Sequence, residues 1–209
     1  MGSEMCIRDR VTPNQHNTGT PMDIERLGNG LAFLKEAERL KSVLRTAYTT
    51  TGRQEDTAAH TWRLCLMAMT FERELAPLDM TRVLKLCVLH DLGEAIHGDQ
   101  PAIAQNADKN TQERLDLLTV MAPLDETLKV EFLALWEDYE QGTSREARLV
   151  KGLDKLETIL QHSQGDNPPD FDYAFNLTYG RDRTDAEPVL TMLRMLVDGE
   201  TQRRIDGGQ

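Results

Sequence analysis

A histidine and an aspartate, His90 and Asp91, end the most apolar helical run in the chain, which covers residues 80–89. Burying an imidazole and a carboxylate at such a place costs free energy unless the two are paired or bound to a metal ion. Glu94 lies on the same helical face if the helix continues, and Asp99 lies in the polar segment that follows. One imidazole and three acids within ten residues indicate a site for metal binding and proton transfer.

The His90-Asp91 dipeptide is weak evidence by itself, because five His and 18 Asp in 209 residues produce roughly 0.4 such pairs by chance. Two more residues of the metal-ligand type interrupt apolar patterns elsewhere. His60 lies within an amphipathic stretch, and Asp154 lies within the apolar stretch over 149–156. Alone, each is more typical of a capping or solvated position, but together the four residues supply two imidazoles and two carboxylates.

These residues and the segments around them resemble the HD superfamily of metal-dependent phosphohydrolases, whose signature is a His, then His-Asp, then a distant Asp. The resemblance extends from about Leu34 to Gly165. It is closest to the branch of bacterial 5′-deoxynucleotidases and their eukaryotic HD-domain relatives. The matching segments are Glu55-Asp56-Thr57-Ala58-Ala59-His60, His90-Asp91-Leu92-Gly93-Glu94-Ala95, Gly98-Asp99-Gln100-Pro101 and Leu153-Asp154-Lys155-Leu156-Glu157.

The resemblance implies one divalent metal ion held by His60, His90, Asp91 and Asp154. Two neutral imidazoles and two carboxylates suit Mn²⁺, Co²⁺, Fe²⁺ or Zn²⁺ better than Ca²⁺, which prefers a shell made only of oxygen atoms. The residues do not distinguish among these four metals.

The resemblance also places two catalytic acids on Glu94 and Asp99. One positions or deprotonates the attacking water and the other protonates or orients the leaving oxygen, and the sequence leaves open which acid has which role. A substrate-binding arginine is expected at Arg45 and a second basic position at Arg53. Lys155 either balances the charge of the adjacent aspartate or binds phosphate.

Thr46 departs from the pattern of the relatives, many of which carry an aromatic residue directly after the first arginine. We therefore expect a loose choice of nucleobase. The expected activity is metal-dependent hydrolysis of nucleoside 5′-monophosphates, preferably the 2′-deoxy forms, to nucleoside and phosphate. The alternatives are an HD phosphohydrolase acting on a triphosphate, a cyclic nucleotide or an alarmone, and a non-catalytic module that senses nucleotides.

The composition of the chain limits the classes of molecule that it is expected to bind. A formal net charge of −11 disfavours binding to a nucleic-acid polymer, and no window of 18 apolar residues exists that could span a membrane. A small phosphorylated nucleotide remains the expected partner, because a bound metal ion and a few cationic side chains can reverse the local field. Cys65 and Cys87 lie in apolar runs and are interpreted as buried thiols in a reducing, cytoplasmic compartment. The resemblance also implies a homodimer.

The elements that must position these residues are predicted to be helices. Helix-forming residues are plentiful, aromatic residues make up only 5%, and no alternating strand-like run of useful length is present. Periodicity and capping residues predict helices over about 26–46, 57–75, 80–89, 110–121, 125–141, 144–163 and 185–198. The fold class is therefore all-α, a single domain of about six to eight helices, and the resemblance implies that this bundle is an HD domain.

The first 21 residues stand apart from the rest of the chain. They show no helical or strand period, and the segment Ser3 to Arg10 looks like a translated sequencing adaptor. We therefore expect a non-native or disordered tail over 1–21 and one HD phosphohydrolase domain over 22–209.

Four other ring side chains have ordinary structural interpretations. Trp62 and Trp136 fit core positions better than positions that stack on a substrate. His97 is expected in a loop, and His162 is expected in a structural or exposed position near the end of a helix.

Overall fold

A computed structural model of the protein describes residues 23–99 and 109–207, so the predicted tail over 1–21 and the Gln100-Pro101 part of the third motif lie outside the described residues. The prediction of an all-α fold is confirmed. None of the described helices combines the length and the apolar character needed to cross a membrane. The helices are α1 (Ile24–Ala37), α2 (Thr57–Thr70), α3 (Glu72–Leu75), α4 (Met80–Leu89), α5 (Glu94–His97), α6 (Lys109–Val120), α7 (Glu126–Gln141), α8 (Arg145–Gln164), α9 (Tyr173–Asn176), α10 (Arg181–Thr184) and α11 (Pro188–Gly207), with a 3-10 turn over Glu38–Ser42.

The helix predicted over about 26–46 is wrong in its second half. After α1 and the 3-10 turn the chain forms an antiparallel hairpin of β1 (Leu44–Tyr48) and β2 (Gln54–Asp56), in which Leu44 pairs with Asp56. The threonine-rich segment between the strands favours extended backbone over helix, because β-branched side chains lose rotamer freedom in a helix. Gly52, with φ of 75°, provides the left-handed conformation that the turn requires.

Helix α8 lies at the centre of the bundle and packs against α2, α4, α7, α10, α11 and β1. Gly152 lets α11 approach closely, because a Cβ atom at this position would clash with the Leu190 side chain. The core side chains of α8 are almost fully buried, namely Leu149, Val150, Leu153, Leu156 and Ile159. Any polar side chain that α8 directs away from this core is therefore held on a rigid support.

Helix α2 begins at the predicted N-cap Asp56, whose carboxylate accepts a hydrogen bond from the Ala59 N–H at 2.8 Å. His60 lies one turn further along and is fully buried. The prediction that Trp62 belongs to the core is wrong, since this side chain is 64% exposed. Positions two apart on a helix do not share a face, so burial of His60 directs Trp62 outward. Trp136 is buried, as predicted.

Candidate metal centre and active site

Four side chains converge at one point. They come from α2, from the end of α4 and the turn after it, and from α8. His60 comes from α2, His90 caps the C-terminus of α4, Asp91 follows it directly, and Asp154 comes from α8. The Nε2 atom of His60 lies 3.2 Å from Asp154 Oδ1 and 3.8 Å from Asp91 Oδ2, and His90 Nε2 lies 2.9 Å from Asp91 Oδ2. The ligand atoms of His60, His90 and Asp91 thus lie within 4.8 Å of one another, and Asp154 joins this group through its contact with His60.

The hydrogen bonds of the two imidazoles show which nitrogen of each ring faces this centre. His90 Nδ1 donates to the Cys87 carbonyl oxygen at 2.8 Å, and His60 Nδ1 donates to a carboxylate oxygen of Glu157. Each Nε2 atom therefore presents a lone pair to the centre. Both Nε2 atoms are buried and have no hydrogen-bond partner among the described residues. Such orphaned nitrogens beside carboxylates fit a divalent cation, which binds lone pairs directly.

A second layer of side chains orients these groups. Glu157 also accepts a hydrogen bond from Arg63 Nε at 2.6 Å, and the Tyr139 hydroxyl donates to Asp154 Oδ2 at 3.0 Å. Lys155 Nζ lies 3.0 Å from the same Asp154 oxygen, which leaves the other oxygen directed towards the imidazole. Sequence reasoning assigned no role to Glu157, although it lies in a matched segment, and nothing in the local sequence marked Tyr139.

Glu157 and His60 also form a cluster of ligand type with Glu55, and the three are buried. The two glutamates of this cluster are better suited to orient the His60 imidazole than to bind a second cation. The only imidazole nitrogen of the cluster is Nδ1, which carries the proton that Glu157 accepts. Two guanidinium groups already supply positive charge there, with Arg45 Nε 3.5 Å from Glu55 Oε2 and Arg63 on Glu157.

The acids make the centre a favourable place for positive charge. Burial and the nearby Arg45 would lower the pKa of His60, but Glu157 and Asp154 outweigh both and raise it to about 9. Burial would raise the pKa of Asp91, yet His90 and His60 hold it below its usual range. A proton or a metal cation is thus stabilised between these side chains.

The two expected catalytic acids lie on the cavity above this centre and outside the cluster of ligand atoms. Glu94 begins α5, is 5% exposed, and accepts a hydrogen bond from Thr57 Oγ1 at 3.3 Å. Burial, followed by the charges of Asp91 and Asp99, raises the pKa of Glu94 to about 10. Asp99 follows Gly98, which has a φ of 83°, and lines the cavity.

The structure brings only one of the two expected arginines into the site. Arg45 projects from β1, donates from Nη2 to Thr158 Oγ1 at 3.1 Å, and places Nη1 3.6 Å from Asp91 Oδ2. Burial would lower the pKa of its guanidinium, but Asp91 and other acids hold it above the usual range. Arg53 lies outside the cavity, more than half exposed, and pairs with Asp56 Oδ2 at 3.0 Å.

A cavity of about 460 Å³ opens over the centre, and it is large enough for a small ligand. The predicted residues on its surface are Arg45, His90, Asp91, Glu94, Asp99, Asp154 and Lys155. Further lining residues that the sequence did not suggest include Phe171, Phe175 and Tyr179, which lie between α8 and α10. The cavity therefore combines a charged centre with an aromatic surface.

The remaining described histidines lie outside the metal centre. His97 belongs to α5 and not to a loop as expected, and its Nδ1 lies 2.7 Å from Asp116 Oδ2. His162 is buried near the C-terminus of α8, where its Nδ1 lies 2.9 Å from Asn176 Oδ1. It also forms part of the cavity surface.

The chain is similar to known proteins over most of its length. The model of the HD domain family matches residues 37–193. The 5′-deoxynucleotidase HDDC2 of Danio rerio is 37% identical over 139 residues, which are 65% of this chain and 68% of the relative. The 5′-deoxynucleotidase HDDC2 of Homo sapiens is also 37% identical, over 64% of this chain and 67% of the relative.

Among solved structures, the chain is similar to a predicted metal-dependent phosphohydrolase from Magnetospirillum magnetotacticum MS-1. The two have 26% sequence identity and a TM-score of 0.75, and the match covers 86% of this chain and 94% of that one.

Proposed function

Because the chain belongs to the HD domain family of metal-dependent phosphohydrolases, we propose that it hydrolyses nucleoside 5′-monophosphates, preferably the 2′-deoxy forms, to the nucleoside and inorganic phosphate. The relatives named 5′-deoxynucleotidase support this substrate class. The size of the cavity supports it too, because about 460 Å³ suits one small nucleotide better than a polymer.

The observation that carries the proposal is the pair of Nε2 atoms of His60 and His90, which have no hydrogen-bond partner among the described residues and lie beside two carboxylates that line this cavity. We assign the metal ligands as His60, His90, Asp91 and Asp154. Their chemistry suits Mn²⁺, Co²⁺, Fe²⁺ or Zn²⁺. When bound, such a cation neutralises phosphoryl oxygens and makes water more acidic.

Arg45 contributes the fixed positive charge that phosphoryl transfer requires. Its hydrogen bond to Thr158 holds the guanidinium beside the ligands, so little reorganisation is needed as negative charge builds on the phosphoryl oxygens. Lys155 adds a second cationic group on the same surface, although part of its charge is balanced by Asp154.

Glu94 and Asp99 divide the proton transfers between them. Glu94 positions or deprotonates the attacking water, and Asp99 protonates or orients the leaving 5′ oxygen. Both acids lie on the cavity and neither belongs to the ligand set that we assign, so each is available to exchange a proton. The sequence leaves the exchanged roles open, and the pKa of Glu94, which burial and the charges of Asp91 and Asp99 raise to about 10, favours Glu94 as the acid as long as no cation lowers that pKa.

Preference for the deoxy sugar follows if the cavity packs tightly against C2′. A ribose hydroxyl then enters without a hydrogen-bond partner, which costs roughly 1–3 kcal/mol, or about ten- to a hundredfold in specificity.

The test is phosphate release from 5′-dAMP, 5′-AMP, 3′-dAMP and dATP, with and without Mn²⁺. We expect metal-dependent release that is fastest from 5′-dAMP. Asp154→Ala should lose both activity and bound metal while keeping its helical content, and the exposed Asp170→Ala provides a matched control.

Four outcomes would contradict the proposal in different ways. Preferred cleavage of dATP would favour a triphosphohydrolase, and equal rates on 5′-dAMP and 5′-AMP would remove the argument about the sugar. Absence of release with every metal would favour a non-catalytic sensor. Stoichiometric metal in Asp154→Ala would show that the ligand set is wrong.

A further inference from the structure

Besides Tyr139, whose hydroxyl contacts Asp154, three aromatic side chains line the cavity, and we call Phe171, Phe175 and Tyr179 the aromatic wall. The rings of Phe175 and Tyr179 stack with centroids 5.1 Å apart and an interplanar angle of 30°. The Phe171 ring packs edge-on against His162 at 4.9 Å. We propose that the aromatic wall is the subsite that binds the nucleobase, an inference that rests on the nucleotide hydrolysis proposed above.

The aromatic wall lies at a suitable place relative to the metal centre. Lys155 links the two, because its Nζ is 3.0 Å from Asp154 Oδ2 and 5.3 Å from the centre of the Tyr179 ring. His162, which contacts Phe171, is eight residues beyond Asp154 on α8, or about 12 Å along the helix axis. The wall therefore begins beside a metal ligand and extends away from it, as a nucleotide does from phosphate to base.

The charged part of the cavity offers a poorer place for a base. Lys109 Nζ is paired with Glu113 at 3.1 Å, and Lys151 Nζ lies 3.9 Å from Glu140. On α8, Lys151 precedes Asp154, whereas the contact to the aromatic wall follows it. A nucleobase placed among these ion pairs would desolvate them. The aromatic ring in this part of the cavity, Tyr139, is only 5% exposed and already contacts Lys151 Nζ at 4.2 Å and the His90 ring at 5.0 Å, so it offers little free surface for stacking.

The segment that carries the aromatic wall is anchored before any ligand binds. Arg194 of α11 is 1% exposed and donates from Nη1 to the Tyr179 carbonyl oxygen and from Nη2 to that of Asn176, both at 2.6 Å. Its Nε donates to Asp198 Oδ1, also at 2.6 Å. Buried charge-assisted hydrogen bonds of this kind fix the backbone that carries Phe175 and Tyr179, so binding costs little further ordering of this segment.

The aromatic wall also supplies a stacking surface that this chain lacks directly after Arg45. Thr46 lies on the cavity where many relatives were expected to carry an aromatic residue, and it offers no face for stacking. Stacking on aromatic rings tolerates every base, because each base has a π-face. We therefore expect the wall to favour nucleotides over a bare sugar phosphate while discriminating weakly among bases.

The test compares kcat/KM for 5′-dAMP and for 2-deoxyribose 5-phosphate, in the full chain with Mn²⁺. The double variant Phe171→Leu/Phe175→Leu keeps apolar volume and removes two aromatic faces. We expect the ratio of the two constants to fall about tenfold or more, with kcat/KM for the sugar phosphate changed by no more than about twofold. The matched control is Phe132→Leu. Phe132 packs against Phe33 outside the cavity, so its replacement should leave the ratio unchanged.

The outcomes separate this proposal from the proposed function. If the wild type cleaves both substrates equally well, or the double variant loses both activities in proportion, the aromatic wall does not bind the base although the phosphatase function stands. If the wild type cleaves neither substrate, the proposed function fails, and calorimetric binding of 2′-deoxyadenosine to the two folded proteins decides. Weaker binding by the double variant would support the subsite, and equal binding would overturn it.

Discussion

Glu157→Gln tests whether the layer behind the metal centre controls metal binding. The carboxylate of Glu157 is fully buried and accepts hydrogen bonds from His60 Nδ1 and from Arg63 Nε. Glutamine has nearly the same volume, but it has one acceptor oxygen and an NH₂ group that cannot accept. One of the two donors therefore loses its partner, and the His60 imidazole also loses the adjacent negative charge.

The expected size of the effect follows from these two contacts. Loss of a partner that orients a ligating histidine typically costs 10- to 100-fold in metal affinity. That range corresponds to about 1.4–2.8 kcal/mol, which agrees with roughly 1.5–3 kcal/mol for a hydrogen bond to a charged group. The loss should appear in Mn²⁺ binding, and raising the Mn²⁺ concentration should restore much of the activity.

Competition with a chelator measures the Mn²⁺ affinity directly, and circular dichroism checks that the variant is folded. Glu126→Gln is the matched control, because the Glu126 side chain is 85% exposed and lies outside the cavity. A folded Glu157→Gln protein with wild-type Mn²⁺ affinity would refute the reasoning.

Four further predictions follow from other parts of the molecule. Glu94→Gln and Asp99→Asn should each lower turnover on the order of 100-fold with metal still bound, and near-normal phosphate release from both would exclude them as catalytic acids. Asp138→Asn should lower the free energy of unfolding by about 2 kcal/mol in urea titrations at pH 7. Burial would raise the pKa of Asp138, but hydrogen bonds from neighbouring hydroxyl, amide and guanidinium groups lower it below its usual range. The extra stability of the wild type over Asp138→Asn should therefore be complete above about pH 4 and should be lost as the pH falls further. A stability difference that stays the same at low pH would contradict this. A chain that starts at Met22 should match the full chain in activity and Tm, and a lower Tm would mean that residues 1–21 contact the domain. Light scattering should give twice the 23.7 kDa chain mass, and Leu31→Glu on the exposed apolar side of α1 should yield monomer; a monomeric wild type would reject the homodimer.

Local patterns were enough to predict the helices that carry the metal centre. The helix predicted over 80–89 has the same bounds in the structure, and the Asp56 cap begins α2 as expected. Periodicity and capping depend on neighbouring residues, so they can be read from one sequence. The same patterns drew attention to His60, His90, Asp91 and Asp154, but it was the resemblance to the HD superfamily that joined them into one ligand set.

Contacts between distant segments could not be predicted in this way. The His60 contact to Glu157 spans 97 residues, and the Arg45 contact to Thr158 spans 113, so no local spacing reports either one. The hairpin replaced a predicted helix end because leucines at helical spacing continue into a threonine-rich segment that prefers extended backbone.

The sequence by itself thus determined which residue types were available for metal and proton chemistry and which helices carry them. Only the tertiary structure decided that Arg45 enters the cavity while Arg53 stays outside, and that Phe175 and Tyr179 line it. The reason is that a side chain's neighbours across the bundle depend on how helices pack around α8, and packing depends on the whole chain at once.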